Sequence, residues 1–507
     1  MIHQYIERIL RAKVYDVAVE TPLDCARSLS LRLGNNVFLK REDLQPVFSF
    51  KIRGAYNKIA SLSNEEKSKG VIAASAGNHA QGVALSAKKL GIKSLIVMPQ
   101  TTPDIKVKAV KAWGAKIVLF GDSYDDACSH ANKIALDKGM TFVHAYDDPE
   151  VIAGQGTIAM EILRQKTEKI DCIFVPVGGG GLIAGIAAYV KFVRPETRVI
   201  GVEPNDADSL NCALHANKRV VMKQVGLFAD GVAVKQVGSE PFRLAQQYVD
   251  EVITVSTDEI CAAIKDIFDD TRSVAEPAGA LAVAGLKKYV EQGEIKNQTL
   301  VAIESGANIN FDRLRYVAER TLVGEHKEIL LAVTVPEIPG SFLKFCKALG
   351  KRNITEFNHR YFNNKTAQVF VGVTCSGKQE DRDDLISQLE IKGFSVIDMT
   401  MNELAKEHIR YMVGGHAPQE LGEMVYSIQF PERPGALLKF LTSLGSRWNI
   451  SMFHYRNHGA AFGKVLMGVQ MPKTERKEFQ QRLDEVGFEY KEETKNLAYK
   501  VFVGGAE

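Results

Sequence analysis

Four short stretches of the chain hold residue types that could do chemistry. In Ser49-Phe50-Lys51-Ile52-Arg53-Gly54-Ala55 a lysine follows an aromatic residue and opens an amphipathic run. A lysine packed against apolar and cationic neighbours loses pKa and can become the nucleophile that forms a Schiff base; Phe50, Ile52 and Arg53 are such neighbours here. The second stretch, Gly178 to Gly181, follows the apolar run CIFVPV and opens a helix at Leu182. Backbone N–H groups with no Cβ in the way then cluster at a helix's positive end and make a cup for phosphate. The third, Ser75-Ala76-Gly77-Asn78-His79-Ala80-Gln81-Gly82, follows VIAA and again opens a helix. It offers N–H groups and an amide to a substrate carboxylate, although taken singly Asn78 also reads as a helix cap and His79 as a structural histidine. The fourth, Glu304-Ser305-Gly306-Ala307-Asn308, sets the Ser305 hydroxyl at the carboxyl end of a strand, where open α/β sheets bind ligands.

A lysine, two helix-terminal anion cups and a strand-end serine together call for a ligand with a carbonyl, a phosphate and an aromatic nitrogen. Pyridoxal phosphate fits that description. A nucleotide must be weighed beside it, because Gly179, Gly181 and Ala184 satisfy GxGxxA and Glu203 ends the next strand where a ribose-binding acid would sit. That reading would make the chain an NAD-dependent amino-acid dehydrogenase with a sensing tail. Against it, this unit lies behind several other strand–helix units, and four glycines in a row suit a compact phosphomonoester at least as well.

The elements that must position these residues follow from periodicity. From Val71 onward short apolar runs alternate with helix-length amphipathic ones: VIAA, AQGVALSAKKL, LIVMP, DIKVKAVKAWG, KIVLF, TFVHAY, Pro149 to Arg164, CIFVPV, Leu182 to Phe192 and RVIGVEP. Runs at 251–256 and 300–306, with a helix from Asp258 to Asp269 between them, extend the alternation. It predicts an α/β unit with parallel sheet covered by helices on both faces, ending near residue 320. Thr321 to Glu328 reads as a short linker. Beyond it the chain nearly repeats itself: VPEIPGSFLKFCKALGKRNITEFNHR (Val335 to Arg360) and FPERPGALLKFLTSLGSRWNISMFHYR (Phe430 to Arg456) share Pro336/Pro431, Gly340/Gly435, Phe345/Phe440 and Gly350/Gly445. Each copy predicts a βαββαβ module, so this half is a tandem pair suited either to assembly or to ligand sensing.

Composition bounds the partners. The 507 residues allow two to four domains, and 64 basic against 61 acidic side chains give a net charge of +3, no field for holding nucleic acid. The seven cysteines are odd in number, scattered and without a CxxC pair, which predicts reduced thiols. No apolar run approaches the roughly 20 residues of a spanning helix, and the amino terminus has neither a signal peptide's apolar core nor a transit sequence's acid-poor character. A cytoplasmic protein without membrane contact is expected.

The stretches SFKIRGAY, SAGNHAQGVA, VGGGGLIAG and ESGAN, in this order, resemble those of the fold type II pyridoxal-phosphate enzymes, and among them the biosynthetic threonine dehydratase (threonine deaminase) family, over nearly the whole chain. The tandem repeat resembles that family's paired ACT-like regulatory module. The resemblance implies a tryptophan synthase β-like catalytic domain at 1–320, a linker at 321–328, and α+β ACT-like modules at 329–400 and 423–494. It implies that Lys51 carries the cofactor as a Schiff base beside Phe50 and that Asn78 contacts the pyridine oxygen. Gly178, Gly179, Gly180, Gly181 and Leu182 would bind the phosphate, and Ser305 would face the pyridine nitrogen. The carboxylate of L-threonine, or of L-serine, would sit on Ser75, Ala76, Gly77, Asn78 and His79, while the freed Lys51 amine takes the α-proton. Loss of the β-hydroxyl and hydrolysis of the enamine then give 2-oxobutanoate and ammonia, the entry to isoleucine synthesis in that family. A neutral serine opposite the pyridine nitrogen favours prompt elimination over transamination.

The same resemblance implies a homotetramer, inhibited by isoleucine and relieved by valine, with effector contacts at Tyr455 and Arg456 in the second copy and His359 and Arg360 in the first. Among relatives, serine racemase resembles this chain but carries a serine acid where Ala76 stands, so racemisation should be poor. Its cation site matches Glu203, Ala207 and Ser209, with a serine in place of the second acid, so no metal is expected. Threonine synthase would need a second phosphate pocket, and a non-enzymatic sensor would leave the four assembled motifs without a purpose.

Overall fold

The computed structural model describes residues 2–336, 341–350, 352, 354–361, 366–411, 422–431, 440, 443–444, 447–456 and 462–503. They form two compact units, Met1–Val317 and Ala318–Glu507. In the first, the alternation of strands and helices is divided between two sheets. Strands Val71–Ala74, Ser94–Met98, Lys116–Leu119 and Thr141–Phe142 make a parallel four-stranded sheet. Strands Asn36–Arg41, Thr299–Glu304, Cys172–Pro176, Arg198–Pro204 and Glu251–Val255 run parallel in a larger sheet, with Leu23–Cys25 added antiparallel at one edge.

A central strand covered on both faces must be apolar along its whole length, and Cys172–Pro176 is buried at every position. Each large aliphatic side chain it buries, such as Ile173 or Val175, contributes roughly 1.5–3 kcal/mol. The expected strand TFVHAY shortens to Thr141–Phe142, because the chain after Val143 leaves the sheet to build the site. The expected linker 321–328 is largely regular structure. A helix runs from Arg313 to Gly324, and the next strand starts at Glu328.

Four helices of this unit lie in a row with their backbones in near contact. A Cβ on Gly82 would fall 3.2 Å from the Lys51 backbone, joining helix Asn78–Lys89 to helix Lys51–Ala60. One on Gly154 would lie 2.7 Å from the Arg53 carbonyl, joining that helix to Pro149–Gln165. One on Gly185 would lie 2.4 Å from the Ile152 carbonyl, joining the third helix to Gly181–Val193. At these three points the nearest atoms are backbone, so the helices approach to the limit set by peptide groups, and beside them the Gln155 side chain accepts from the Gly54 N–H at 3.2 Å.

The second unit contains the repeat. Its first copy runs strand Glu328–Pro336, helix Ser341–Leu349, strands Ile354–Tyr361 and Thr366–Thr374, helix Gln379–Ile391 and strand Ser395–Asp398. The second supplies strands Glu423–Pro431, Asn449–Arg456, Phe462–Gln470 and Tyr490–Glu492 and helix Arg476–Val486. In each copy the first strand pairs antiparallel with the third and the fourth, and the second strand pairs at the edge. Equivalent Phe345 and Phe440 are fully buried in their own cores. Leu330, Ala332 and Phe370 of the first copy share a cluster with Val425 and Leu466 of the second and with Tyr499 and Phe502 of the last helix. Within this unit the two modules are therefore one folded body.

No helix among the described residues is long and apolar enough to cross a membrane. Cys25, Cys128, Cys172, Cys212, Cys261 and Cys375 are unbridged; the Cys346 side chain lies outside the described residues.

Candidate active site

Three helix N-termini and one strand end converge in the first unit. Lys51 is the first residue of its helix, and its Nζ donates to the Ala145 carbonyl at 3.2 Å and lies 5.1 Å from the centre of the Phe50 ring. Desolvation lowers the amine from an ordinary lysine value to about 8, opposed by the carboxylate of Glu276. Arg53 has no part in this. Its guanidinium is fully buried on another side of the helix, bonded to Glu42 at 2.8 Å and Glu161 at 2.6 Å, so the cationic neighbour expected beside Lys51 is instead a structural ion pair.

The glycine loop reaches the same place. Gly180 has φ +88°, a conformation that favours glycine, and no side chain caps helix Gly181–Val193. A Cβ on Gly179 would fall 2.2 Å from the ring of Tyr146, and one on Gly181 would lie 2.8 Å from the Tyr146 carbonyl. The uncapped N–H groups need an acceptor, which an anion supplies. By contrast the helices after Ser123 and Ser256 are closed by capping boxes.

Asn78 is the first residue of its helix, with Gly77 at the cap position, so it does not act as the cap. The loop before it, Ser75 to Asn78, is half-buried, and a Cβ on Gly77 would meet nothing within 4 Å. Ser75 Oγ accepts from the Gly77 N–H at 3.2 Å and folds the loop back on itself. His79 turns inward, with Nε2 on the Val143 carbonyl at 2.8 Å, and burial pushes it down to about 3. Its neutral ring is therefore structural, and only its backbone N–H remains for a substrate carboxylate.

Ser305 is buried at the end of strand Thr299–Glu304, its hydroxyl 3.4 Å from the Ala278 carbonyl. It stays next to the lysine segment because the Phe50 N–H donates to the Ser305 carbonyl at 3.2 Å. Two further residues complete the cluster: Glu276, which motif reading missed, and Asn308, which lies in the fourth stretch but was given no role there. Glu276 Oε1 accepts from Asn78 Nδ2 at 2.5 Å, and Asn308 Nδ2 donates to Asn78 Oδ1 at 2.7 Å. The signal for Glu276 was present in Glu276-Pro277, an acid before a proline that opens a helix.

A depressed lysine amine, an uncapped glycine cradle, an amide and a strand-end hydroxyl fit pyridoxal phosphate. They do not fit a dinucleotide, because Glu203 is fully buried and accepts from the N–H groups of Leu210 and Asn211 at 2.9 and 2.8 Å. It closes the start of helix Ser209–His215 and cannot reach a ribose. No cluster of three or more metal-ligating side chains occurs among the described residues.

Residues 14–306 match the family of pyridoxal-phosphate dependent enzymes, and 319–409 and 414–503 match the C-terminal regulatory domain of threonine dehydratase. L-threonine dehydratase biosynthetic IlvA of Burkholderia multivorans is 57% identical over 504 residues, covering 99% of each chain. The chain belongs to the biosynthetic threonine dehydratase family. A further dehydratase of this family, from Escherichia coli, is 52% identical and is covered over 97% of its length and 99% of this chain. The solved structure of processed threonine deaminase isoform 2 from Solanum lycopersicum superposes with a TM-score of 0.62 at 51% identity, covering 63% of this chain and 87% of its own. Maize serine racemase superposes at 0.58 with 32% identity, covering 63% and 98%. The dehydratase family is thus matched along both units, and the racemase only over a length like that of the first.

The regulatory residues expected from the family pattern have a backbone setting only. His359 and Arg360 lie in strand Ile354–Tyr361, and Tyr455 and Arg456 in Asn449–Arg456. Their side chains lie outside the described residues.

Proposed function

We propose that this chain converts L-threonine, with L-serine as a second substrate, to the 2-oxo acid and ammonia, using pyridoxal phosphate bound to Lys51. The observation that carries the reading is the Lys51 amine, lowered to about 8 and held on the Ala145 carbonyl among two uncapped helix N-termini and the Ser305 strand end. When bound, the cofactor supplies an electron sink that stabilises negative charge at the amino acid's Cα.

The rest belongs to this chain's own side chains and peptide groups. The N–H groups of Gly178 to Leu182 hold the phosphate at a helix's positive end, and the Ser75 to His79 loop receives the substrate carboxylate at another. An amine near 8 is about one-quarter neutral at pH 7.5, against roughly a thousandth for an ordinary lysine, so Lys51 can take the α-proton without a separate base. Ser305 offers the ring nitrogen a neutral hydroxyl, and Ala76 offers no acid to return a proton from the opposite face. Water leaves as the β-hydroxyl departs, and hydrolysis of the product enamine releases ammonia and, from threonine, 2-oxobutanoate.

The tandem modules bind isoleucine as inhibitor and valine as its antagonist, the active form is a homotetramer, and the enzyme works in the cytoplasm at the entry to isoleucine synthesis. The test is reconstitution of the full chain with pyridoxal phosphate, borohydride reduction and peptide mapping, with a threonine assay in parallel. A visible band abolished by reduction, the pyridoxyl group on Lys51 and 2-oxobutanoate release are expected. Failure to label any lysine would overturn the reading.

A further inference from the structure

Asn78 carries a planar amide that can sit in two orientations related by a half-turn, and only one of them offers a donor on a given side. Both of its ends are held. Asn308 Nδ2 donates to Asn78 Oδ1 at 2.7 Å and to the Val47 carbonyl at 2.8 Å, so both N–H bonds of Asn308 go to oxygen acceptors and Asn78 must present its oxygen to it. At the other end Glu276 Oε1 accepts from Asn78 Nδ2 at 2.5 Å. A half-turn of Asn78 would set oxygen against the carboxylate and NH2 against NH2.

Glu276 is itself fixed by the fold. It is 5% exposed, and its backbone N–H donates to the Gly306 carbonyl at 3.0 Å. A Cβ on Gly306 would lie 2.6 Å from Glu276 Oε1, so the glycine beside Ser305 makes room for this carboxyl group. Burial and the nearby Asp230 raise Glu276 to about 7, against Lys106, Asn78 and Arg313. Protonated or not, it keeps an acceptor oxygen for Asn78. One N–H of the Asn78 amide is thus occupied, and the second is left for a ligand.

We propose that Glu276 is a positioning residue for the cofactor: together with Asn308 it locks the Asn78 amide so that a donor, never the carbonyl oxygen, faces the anionic ring oxygen of pyridoxal phosphate. This rests on the reading of Asn78 as the residue that contacts that oxygen. A flipped amide would put a lone pair there and repel the ligand, so the lock acts on cofactor affinity and on the electronic state of the bound ring.

The test compares Glu276→Gln and Glu276→Ala with the wild type, all full length. The readouts are the dissociation constant for pyridoxal phosphate and the position of its visible band. Gln retains an acceptor and should bind within about threefold of wild type with an unmoved band. Ala leaves the amide held at its Asn308 end alone and should weaken binding about tenfold or more and shift the band. Asn308→Ala, which releases the other end of the same amide, should reproduce the Ala result and carries the test if Glu276→Ala does not fold. Wild-type affinity and band in the folded Ala variants, or a Gln variant as impaired as Ala, would overturn the lock. A wild-type chain that shows no reducible band would instead overturn the cofactor reading beneath it.

Discussion

At the scale of single residues, the site runs on groups moved from their ordinary protonation. Lys51 should be captured by pyridoxal phosphate and borohydride with a rate that rises through pH 8, and a midpoint near 10.5 would contradict the burial described above. His79 gives a stability prediction. Its folded value of about 3 lies below the ordinary 6.5, so the folded state binds fewer protons and loses stability as pH falls from 6.5 toward 3. Acid should therefore cost about 2 kcal/mol by pH 5, a dependence that His79→Gln should remove when urea midpoints are compared at pH 7 and pH 5. The places of Lys51, Asn78, Ser305 and the glycine run at the ends of elements were legible in the sequence, because each follows an apolar run or opens an amphipathic one. Glu276 was marked only as an acid before the proline that opens a helix, one of 61 acidic residues, and nothing in the sequence pointed to the amide it faces.

Elements place these residues, and their register was easier to read than their partners. The helices at Pro149 and Leu182 lie within a residue of expectation, because apolar periodicity and a proline mark their ends. The separation into two sheets was not legible, since strand order depends on contacts far apart in sequence. Nor was the strand Asn36–Arg41, whose Lys40 and Arg41 break the apolar pattern and are buried only because ion pairs accompany them. The helix that begins with Lys51 is anchored by Arg53, bonded to Glu42 and Glu161. Arg53→Met would leave two buried carboxylates without their partner and should destabilise the chain by about 3–5 kcal/mol, read as a lower urea midpoint. A stability close to wild type would mean that Lys40 alone can satisfy Glu161.

For the whole molecule, the repeat was the most legible feature, and the first unit, expected to end near residue 320, ends at Val317, inside a helix that the sequence read in part as a linker. This helix, Arg313–Gly324, crosses the boundary, with Tyr316 and Val317 buried and Tyr316 packed 5.3 Å from Phe228. A fragment ending at residue 320 cuts this helix and one ending at 326 keeps it whole. The longer fragment should melt several degrees higher, and both should dehydrate threonine with no response to isoleucine, whereas the full chain should respond. Equal melting temperatures would show that the end of this helix adds nothing to the first unit. A persisting isoleucine response would place the effector site outside the tandem modules.

The row of glycine-lined helices has a consequence for how this enzyme can change. Most catalytic spacings are held by side chains, which repack a little with each substitution and let a lineage or an engineer adjust distances by fractions of an ångström. Here the helices that carry the Ser75–Asn78 loop, Lys51 and the glycine run meet at Gly82, Gly154 and Gly185 with peptide groups in near contact, and at those three points there is no side chain to trim. The ruler cannot be shortened, and a single methyl group overextends it. Variation in substrate preference must therefore be written in the walls around the row, in residues such as Tyr146 and Ala76, while the row itself is inherited whole or lost.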